Sequence, residues 1–353
     1  MVDKIMNSDK FYINSINSRC IYGSVKDDID ISIVVPTFRR EQLLCRTLNS
    51  VFKQKKVTKL KYQIIVISND PEFDLTNLDV ELPDNLVFYV NEENLGMVGN
   101  MNRAILLSKG KYVAFLQDDD ILLNDYLITI EQVLKEKKIA DFGCIIPNSY
   151  VYYSESDSVF GKRAMHKNKV KTCLGSLLDL FNHKKYFQQV NTDDCIKAWF
   201  NGFGGGPTCG MLFDRSKLLA TVGFNPEYPY VFDMVFMYEY AKLNKVFLLD
   251  KFLSVYRMSD SASNKPEVQE DFYRGDCYLL ECEKSNPFVI KYSNEIKRFA
   301  AESKCKEVID KHCNDYKKHN IKYYWFRFVR LINLLTSGLY REKVMPSRYM
   351  GLL

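Results

Sequence analysis

GKYVAFLQDDDIL, residues 110–122, decides the fold. It sets the apolar run Tyr112–Leu116 before three consecutive aspartates, Asp118, Asp119 and Asp120, so that a buried strand ends in concentrated negative charge. Carboxylates packed this closely repel and raise one another's pKa unless a cation offsets them. Hard oxygen ligands of this kind suit Mg²⁺ or Mn²⁺. Capping of the following helix would account for one of the carboxylates but not for three.

The same pattern repeats upstream. ISIVVP (31–36), YQIIVIS (62–68) and LVFYVN (86–91) are β-branched apolar runs, and KYVAFLQ (111–117) is a fourth. Between them, Glu41–Phe52 carries helical spacing through Leu44, Leu48, Val51 and Phe52, and Met97–Ser108 reads as a helix stopped at Gly110. Strands and helices alternating in this way predict a parallel α/β sheet. Ligands of such sheets bind at the carboxyl ends of the strands, where the aspartates fall. Downstream, the pattern predicts a helix over 124–137, strands over 141–147 and 208–214, a helix around Asp233–Leu243, and helices from Pro266 onward. Asp193 and Asp194, behind Thr192, read as a helix start. Residues 150–205 are aromatic and polar, with the turn-rich NGFGGGP at 201–207.

Composition bounds the function class. The 353 residues are 46% apolar and 14% aromatic, enough for a large core. The ten cysteines form no C-x-x-C pair and the four histidines stand in no zinc spacing, which argues against a structural zinc site. Residues 1–15 lack the apolar core of a signal peptide, and reduced thiols in a cytosol are expected. No window reaches the roughly 18 uninterrupted apolar residues of a membrane span.

The net charge of +5 is localised. Residues 315–353 carry Lys317, Lys318, Lys322, Arg327, Arg330, Arg341, Lys343 and Arg348 against Asp315 and Glu342, a net +6, which leaves −1 for residues 1–314. Charge so placed argues against a nucleic-acid groove across the body. Within this tail, a helix over 321–335 projects Ile321, Tyr324, Trp325, Phe328, Leu331, Ile332 and Leu335 to one side, with Lys322, Arg327, Arg330 and Asn333 elsewhere. A basic amphipathic helix suits an anionic membrane surface. Packing on the rest of the chain, or on a second subunit of a homo-oligomer, is the alternative.

SIVVPTFRR (32–40), NLGMVGNMNRAI (94–105), GKYVAFLQDDDIL (110–122) and GMLFDRSKLLATVGFNPEYPYVFDMVFMYEYAKL (210–243) together resemble family 2 glycosyltransferases of the GT-A fold, bacterial surface-polysaccharide type. The four blocks stand in the family's order over about residues 31–257. The resemblance implies a lead segment (1–30), a Rossmann-like nucleotide-sugar-binding half (31–140), an acceptor-binding half carrying the catalytic base (141–262) and a helical extension (263–353). A mostly parallel central sheet would join the two halves.

Residue roles follow from the same resemblance. Pro36, Thr37 and Phe38 are expected to cup the nucleobase, with Arg40 near the phosphates. The family usually places an acid after its second strand to hold the base; Ser68-Asn69-Asp70 stands there. Asn69 can pair with a base because an amide both donates and accepts, while Asp70 either shares that role or only forms a turn. Asn94, Gly96, Asn102 and Arg103 are implied along the pyrophosphate or ribose, where a glycine admits close approach and a helix start offers N–H groups. The alternative there is a capped helix with Arg103 on its solvated face. Asp119 aligns with the metal ligand, Asp118 with a ribose or metal-water contact, and Asp120 with a supporting or capping position. Asp233 matches the base that takes the acceptor proton, and its neighbours Val231, Phe232, Met234 and Val235 should raise its pKa. Glu239 is the second candidate, and N-capping is the alternative for Asp233. The family's histidine after Tyr-Arg is replaced by Ser259, which leaves its role absent or with Arg257.

The implied function is inverting transfer, dependent on Mn²⁺ or Mg²⁺, of a sugar from a nucleotide-diphosphate sugar. The acceptor would be a hydroxyl of a bacterial glycan such as O-antigen or capsule, expected to be lipid-linked. The enzyme would be cytoplasmic, at the inner face of the membrane. A sugar-phosphate nucleotidyltransferase is disfavoured, because PTFRRE is no glycine-rich, lysine-bearing phosphate loop. Asn69 and Ser259 keep open a non-catalytic nucleotide-binding scaffold of a glycan assembly complex. Residues 150–207 are expected to set specificity.

Overall fold

β1 (Ser18–Tyr22) leads into β2 (Ile31–Thr37), α1 (Glu41–Phe52), β3 (Tyr62–Ser68), β4 (Leu86–Asn91), α2 (Gly96–Leu107) and β5 (Tyr112–Phe115). In this computed structural model the described residues are 11, 17–54, 58–153, 186–200, 208–258, 265–313, 321–339, 343–344 and 346. Every residue of β2 is buried, and β3 and β5 flank it in parallel, with Ile33 opposite both Ile64 and Ala114. Strands covered on both faces read as continuous apolar runs, which is why these were legible. The chain adds β3 and β4 on one side of β2, then returns to lay β5 on the other. The carboxyl ends of β2 and β5 thus border a topological switch point, the crevice in which such sheets bind ligands.

The sheet continues through β6 (Ile121–Leu122), α3 (Tyr126–Leu134), β7 (Cys144–Tyr153), β8 (Phe187–Gln189), α4 (Thr192–Lys197), β9 (Leu212–Asp214), α5 (Arg215–Leu219), α6 (Phe232–Leu243) and β10 (Val246–Met258). The main path of the 11-stranded sheet runs β1-β4-β3-β2-β5-β9-β7-β10-β6. β9 is antiparallel to both β5 and β7, and so joins the parallel half to the β7–β10 pair. The structure lengthens the strand expected at 141–147 to Tyr153 and shortens the one at 208–214 to three residues. It also makes one long strand of 246–258, which the sequence reading passed over. Asp250 and Lys251 interrupt its apolar pattern, and the β7 register shifts between Leu249 and Phe252. α4 begins as expected, but Asn191 rather than Thr192 caps it, accepting from the Asp193 N–H at 3.0 Å. Most of residues 150–207, expected to govern specificity, lie outside the described residues.

α7 (Pro266–Cys282), α8 (Pro287–Glu302), α9 (Lys306–His312), α10 (Ile321–Thr336) and the short β11 (Lys343–Val344) complete the described chain. Alternate β2 side chains enter different apolar layers, as the period of two requires. Ile31, Ile33 and Val35 meet Leu44, Leu48 and Ile130 of α1 and α3, while Val34 joins the layer of Met101, Phe236, Leu279, Ile296 and Phe326. α10 packs through Tyr323, Phe326 and Leu334, all buried. Of the stripe projected from the sequence, Ile321, Tyr324, Trp325, Phe328, Leu331 and Ile332 are exposed instead and Leu335 is half-buried, so the greater part of it does not pack on the rest of the chain. No described helix is long and apolar enough to cross a membrane.

Candidate active site

The three aspartates occupy the turn between β5 and β6, and each meets different surroundings. Asp118 is buried, and accepts from the Thr37 hydroxyl at 2.8 Å and from the Arg40 guanidinium at 3.2 Å. Burial pushes its pKa up to about 6, against the pull of Arg40 and Thr37. Asp119 keeps a fifth of its side chain in solvent and accepts from the same guanidinium at 3.0 Å. Arg40 therefore bridges the two carboxylates where a cation is wanted. Asp120 is fully buried, accepts the Arg257 backbone N–H at 3.1 Å, and is driven well above the usual carboxylate range by burial first and by Asp119 second. The helix-cap alternative does not hold: α3 starts at Tyr126, with Asp125 at its N-cap position. Asp120 ties the aspartate turn to β10.

The residues expected around a nucleotide are only partly assembled for that purpose. Pro36 and Thr37 close β2, and Phe38 follows with its ring 40% exposed and the Arg39 guanidinium 5.1 Å from its centre. Arg39 also pairs with Asp70 at 3.0 Å. The other Asp70 oxygen accepts the Glu72 N–H at 3.3 Å, so Asp70 forms a turn and links the ends of β2 and β3. Asn69 corrects the expectation that its amide is presented to a base. Its Nδ2 donates to the Gly96 carbonyl at 2.8 Å, while its Oδ1 accepts from Asn91 at 2.8 Å and from the Leu95 N–H at 3.2 Å. Asn69 instead shapes the loop before α2, in which Gly96 adopts φ +69° and the exposed Asn94 accepts the Gly96 N–H at 2.8 Å.

Asn102 is the second correction. It is fully buried, donates to the Phe11 and Phe224 carbonyls at 2.9 Å and accepts the Phe224 N–H at 2.8 Å, which ties α2 to the loop before α6. A side chain so committed cannot reach a pyrophosphate. Arg103 is half-buried on the same helix, and desolvation lowers its pKa, contrary to a solvated face. Asn91 and Asn100 were missed. Asn91 donates to both Asn69 and Asn100, and Asn100 holds the Ile67 carbonyl at 3.0 Å, so three asparagines brace the carboxyl ends of β3 and β4. The repeated Asn at a strand end was their available signal. Asn91→Ala is expected to destabilise the fold by about 1–3 kcal/mol, because it removes the donor of the buried Asn100 Oδ1 and one of the two donors of Asn69 Oδ1; chemical denaturation checks this.

Asp233 stands in the first turn of α6, where the helix dipole favours a carboxylate. It accepts the Met234 N–H at 2.8 Å, and burial pushes its pKa up to about 6. It does not cap the helix, because Val231 holds that position. The N–H groups of Tyr230 and Val231 go instead to Asp271 of α7, at 2.9 and 3.2 Å. Arg274 pairs with Asp271 at 3.1 Å and holds the Glu227 carbonyl at 3.2 Å. Tyr256 of β10 is half-buried, and burial first, then the negative charges of Asp120, Asp119 and Asp233, hold its hydroxyl above the usual tyrosine range. Sequence reasoning missed Tyr256 and Asp271 because neither stands beside its partners along the chain. Glu239 is excluded from this group; it is exposed on α6 and accepts the Tyr278 hydroxyl of α7. The Arg257 guanidinium lies 5.6 Å from the Tyr152 ring centre, and Ser259 falls outside the described residues.

An α/β sheet of this order, with carboxylates and an arginine gathered at its switch point, is the setting of a nucleotide-dependent enzyme. Residues 32–218, more than half of the chain, match the family model "Glycosyl transferase family 2", and the chain belongs to that family. It is 33% identical over 122 residues to the GalNAc(5)-diNAcBac-PP-undecaprenol beta-1,3-glucosyltransferase of Campylobacter jejuni, covering 33% of this chain and 38% of that protein. Over 235 residues it is 24% identical to Glycosyltransferase GlyA of Streptococcus pneumoniae, covering 65% and 31%. The chain thus spans well under half the length of these relatives. The crystal structure of S. aureus TarS 1–349 in complex with UDP aligns with a TM-score of 0.50 at 14% identity, over 88% of this chain and 90% of that one, which places this chain in the GT-A fold.

Proposed function

We propose that this protein transfers a sugar from a uridine diphosphate sugar to a hydroxyl of a lipid-linked glycan, with inversion and with Mg²⁺ or Mn²⁺ as cofactor. The observation that carries this reading is the gathering of Thr37, Arg40, Asp118 and Asp119 at the β2–β5 switch point. The acceptor class is supported by the C. jejuni relative's name and by that of the E. coli UDP-Glc:alpha-D-GlcNAc-diphosphoundecaprenol beta-1,3-glucosyltransferase WfgD, 29% identical over 111 residues.

Asp119 and Asp118 would hold the ion. An ion held by two carboxylates would take its other ligands from substrate phosphates. When bound, it supplies neutralisation of the charge that develops on the departing diphosphate. Phe38 offers its exposed face to the base, and Arg40 swings from the carboxylates towards phosphate oxygens. Asp233, ionised above about pH 6, takes the proton of the acceptor hydroxyl. The acceptor oxygen bonds to the anomeric carbon while the bond to the diphosphate breaks, and the bonding pair leaves with the nucleotide.

Thermal stabilisation of the full chain by UDP, GDP, dTDP and CMP, each with and without Mn²⁺, tests the donor site. UDP with Mn²⁺ at 100 times its Kd is expected to add about 2.7 kcal/mol. If no diphosphate shifts the transition, the assignment of a donor site here is wrong.

A further inference from the structure

We propose that the outward face of α10 docks on an anionic lipid surface. Ile321, Trp325, Phe328, Leu331 and Ile332 form a continuous stripe along it, between 42% and 88% exposed. The helix is already anchored by its other face. Tyr323, Phe326 and Leu334 are buried, Phe326 lies 5.6 Å from Tyr292 and 6.0 Å from Phe299 between ring centres, and the Arg330 guanidinium lies 4.5 Å from the Phe299 ring centre. With the helix so anchored, the stripe still leaves between 42% and 88% of each side chain in solvent. Five large apolar side chains along one helical face make a patch of the kind that marks an interaction surface.

Charge selects the occupant. α10 contains no acidic residue, and at 100° per residue Lys322 and Arg327 fall on the two flanks of the stripe, both side chains exposed. Lys322 has its ammonium 3.3 Å from Glu295, and the exposed part of its stem lies beside the stripe. In a second copy pairing stripe to stripe about a two-fold axis, Arg327 would find no carboxylate on the facing helix, because α10 carries none. A surface of anionic headgroups over hydrocarbon satisfies both features: aromatic and aliphatic groups enter the headgroup–acyl boundary, and the lysine and arginine stems reach back to phosphate. The residues after 314 carry a net +6, of the same sign. Trp325 and Phe328, with ring centres 5.5 Å apart, form the aromatic centre of the stripe.

Co-sedimentation of the full chain with vesicles of pure phosphatidylcholine and of phosphatidylcholine with phosphatidylglycerol tests this without donor or acceptor, so its outcome is separate from that of the transfer reaction. Binding is expected only to the anionic vesicles, weakening with added KCl. The double variant Trp325→Ser, Phe328→Ser is expected to lower partitioning at least tenfold, and Arg327→Gln about fivefold, with circular dichroism unchanged because the buried face of the helix, Tyr323, Phe326 and Leu334, is untouched. No sedimentation with either vesicle overturns the proposal, as does equal binding to both. Concentration-dependent dimerisation that the double variant abolishes, without vesicle binding, would assign the stripe to a second copy and also overturn it.

Discussion

Asp233→Asn is expected to lower kcat by about 10²–10⁴-fold while leaving the stabilisation by UDP and Mn²⁺ intact, because an amide keeps the shape and loses the proton acceptor. Two further readouts separate this outcome from a folding defect. Burial holds the Asp233 carboxyl at about 6 against an ordinary value of 3.8, so the folded chain keeps this proton more tightly than the unfolded chain. Its contribution to stability therefore falls as pH rises from about 4 to about 6, and the full penalty is present above that window. Neutral asparagine removes the penalty, so the variant should be more stable than the parent by about 1–3 kcal/mol at pH 7.5, the lower end reflecting the partial solvent access of the side chain. The same pKa predicts that log kcat of the parent at saturating donor climbs with unit slope below about pH 6 and levels above it. The limb should vanish in Asp233→Asn. Near-parental turnover in this variant would remove Asp233 from the base position.

Asp119→Ala is expected to abolish the Mn²⁺-dependent part of the UDP stabilisation and to lower kcat/KM by about 10²–10³-fold. Among the three aspartates, Asp119 has a partly exposed carboxylate and Asp118 is buried against Thr37 and Arg40. The control is Asp120→Asn. Asp120 is buried, driven towards its neutral form, and committed to the Arg257 N–H. An isosteric amide can keep the neutral shape, so its effect should fall on stability and leave nucleotide binding within about twofold. Equal losses of binding in the two variants would mean that the turn acts as a whole and that no single carboxylate faces the ion. Titration calorimetry with UDP, with and without Mn²⁺, reads the difference directly.

The amino-terminal, parallel half of the sheet was legible because its signals are local. β2, β3 and β4 are buried on both faces and spell continuous apolar runs, and α1 keeps Leu44, Leu48 and Val51 on one side. β10 was not legible over its length, because Asp250 and Lys251 break its pattern while its hydrogen bonds come from β7, about a hundred residues earlier. The asparagines show the limit most clearly. Asn69, Asn94 and Asn102 look equally fit for a ligand in a linear sequence, yet Asn94 is exposed, Asn69 is bound into a loop and Asn102 clasps Phe224.

The linear order of residues was therefore sufficient for the α/β architecture, the position of the aspartates at a strand end and membership in glycosyltransferase family 2, each of which rests on periodicity or on contiguous motifs. It did not reveal that Arg40 bridges Asp118 and Asp119, that Asp271 holds the segment entering α6, that Tyr256 shares the fields of Asp119 and Asp233, or that the apolar stripe of α10 faces outward. Those facts belong to the tertiary structure because the state of a carboxylate, an amide or a hydroxyl depends on groups that folding brings to it: 81 residues separate Thr37 from Asp118, and 137 separate Asp120 from Arg257.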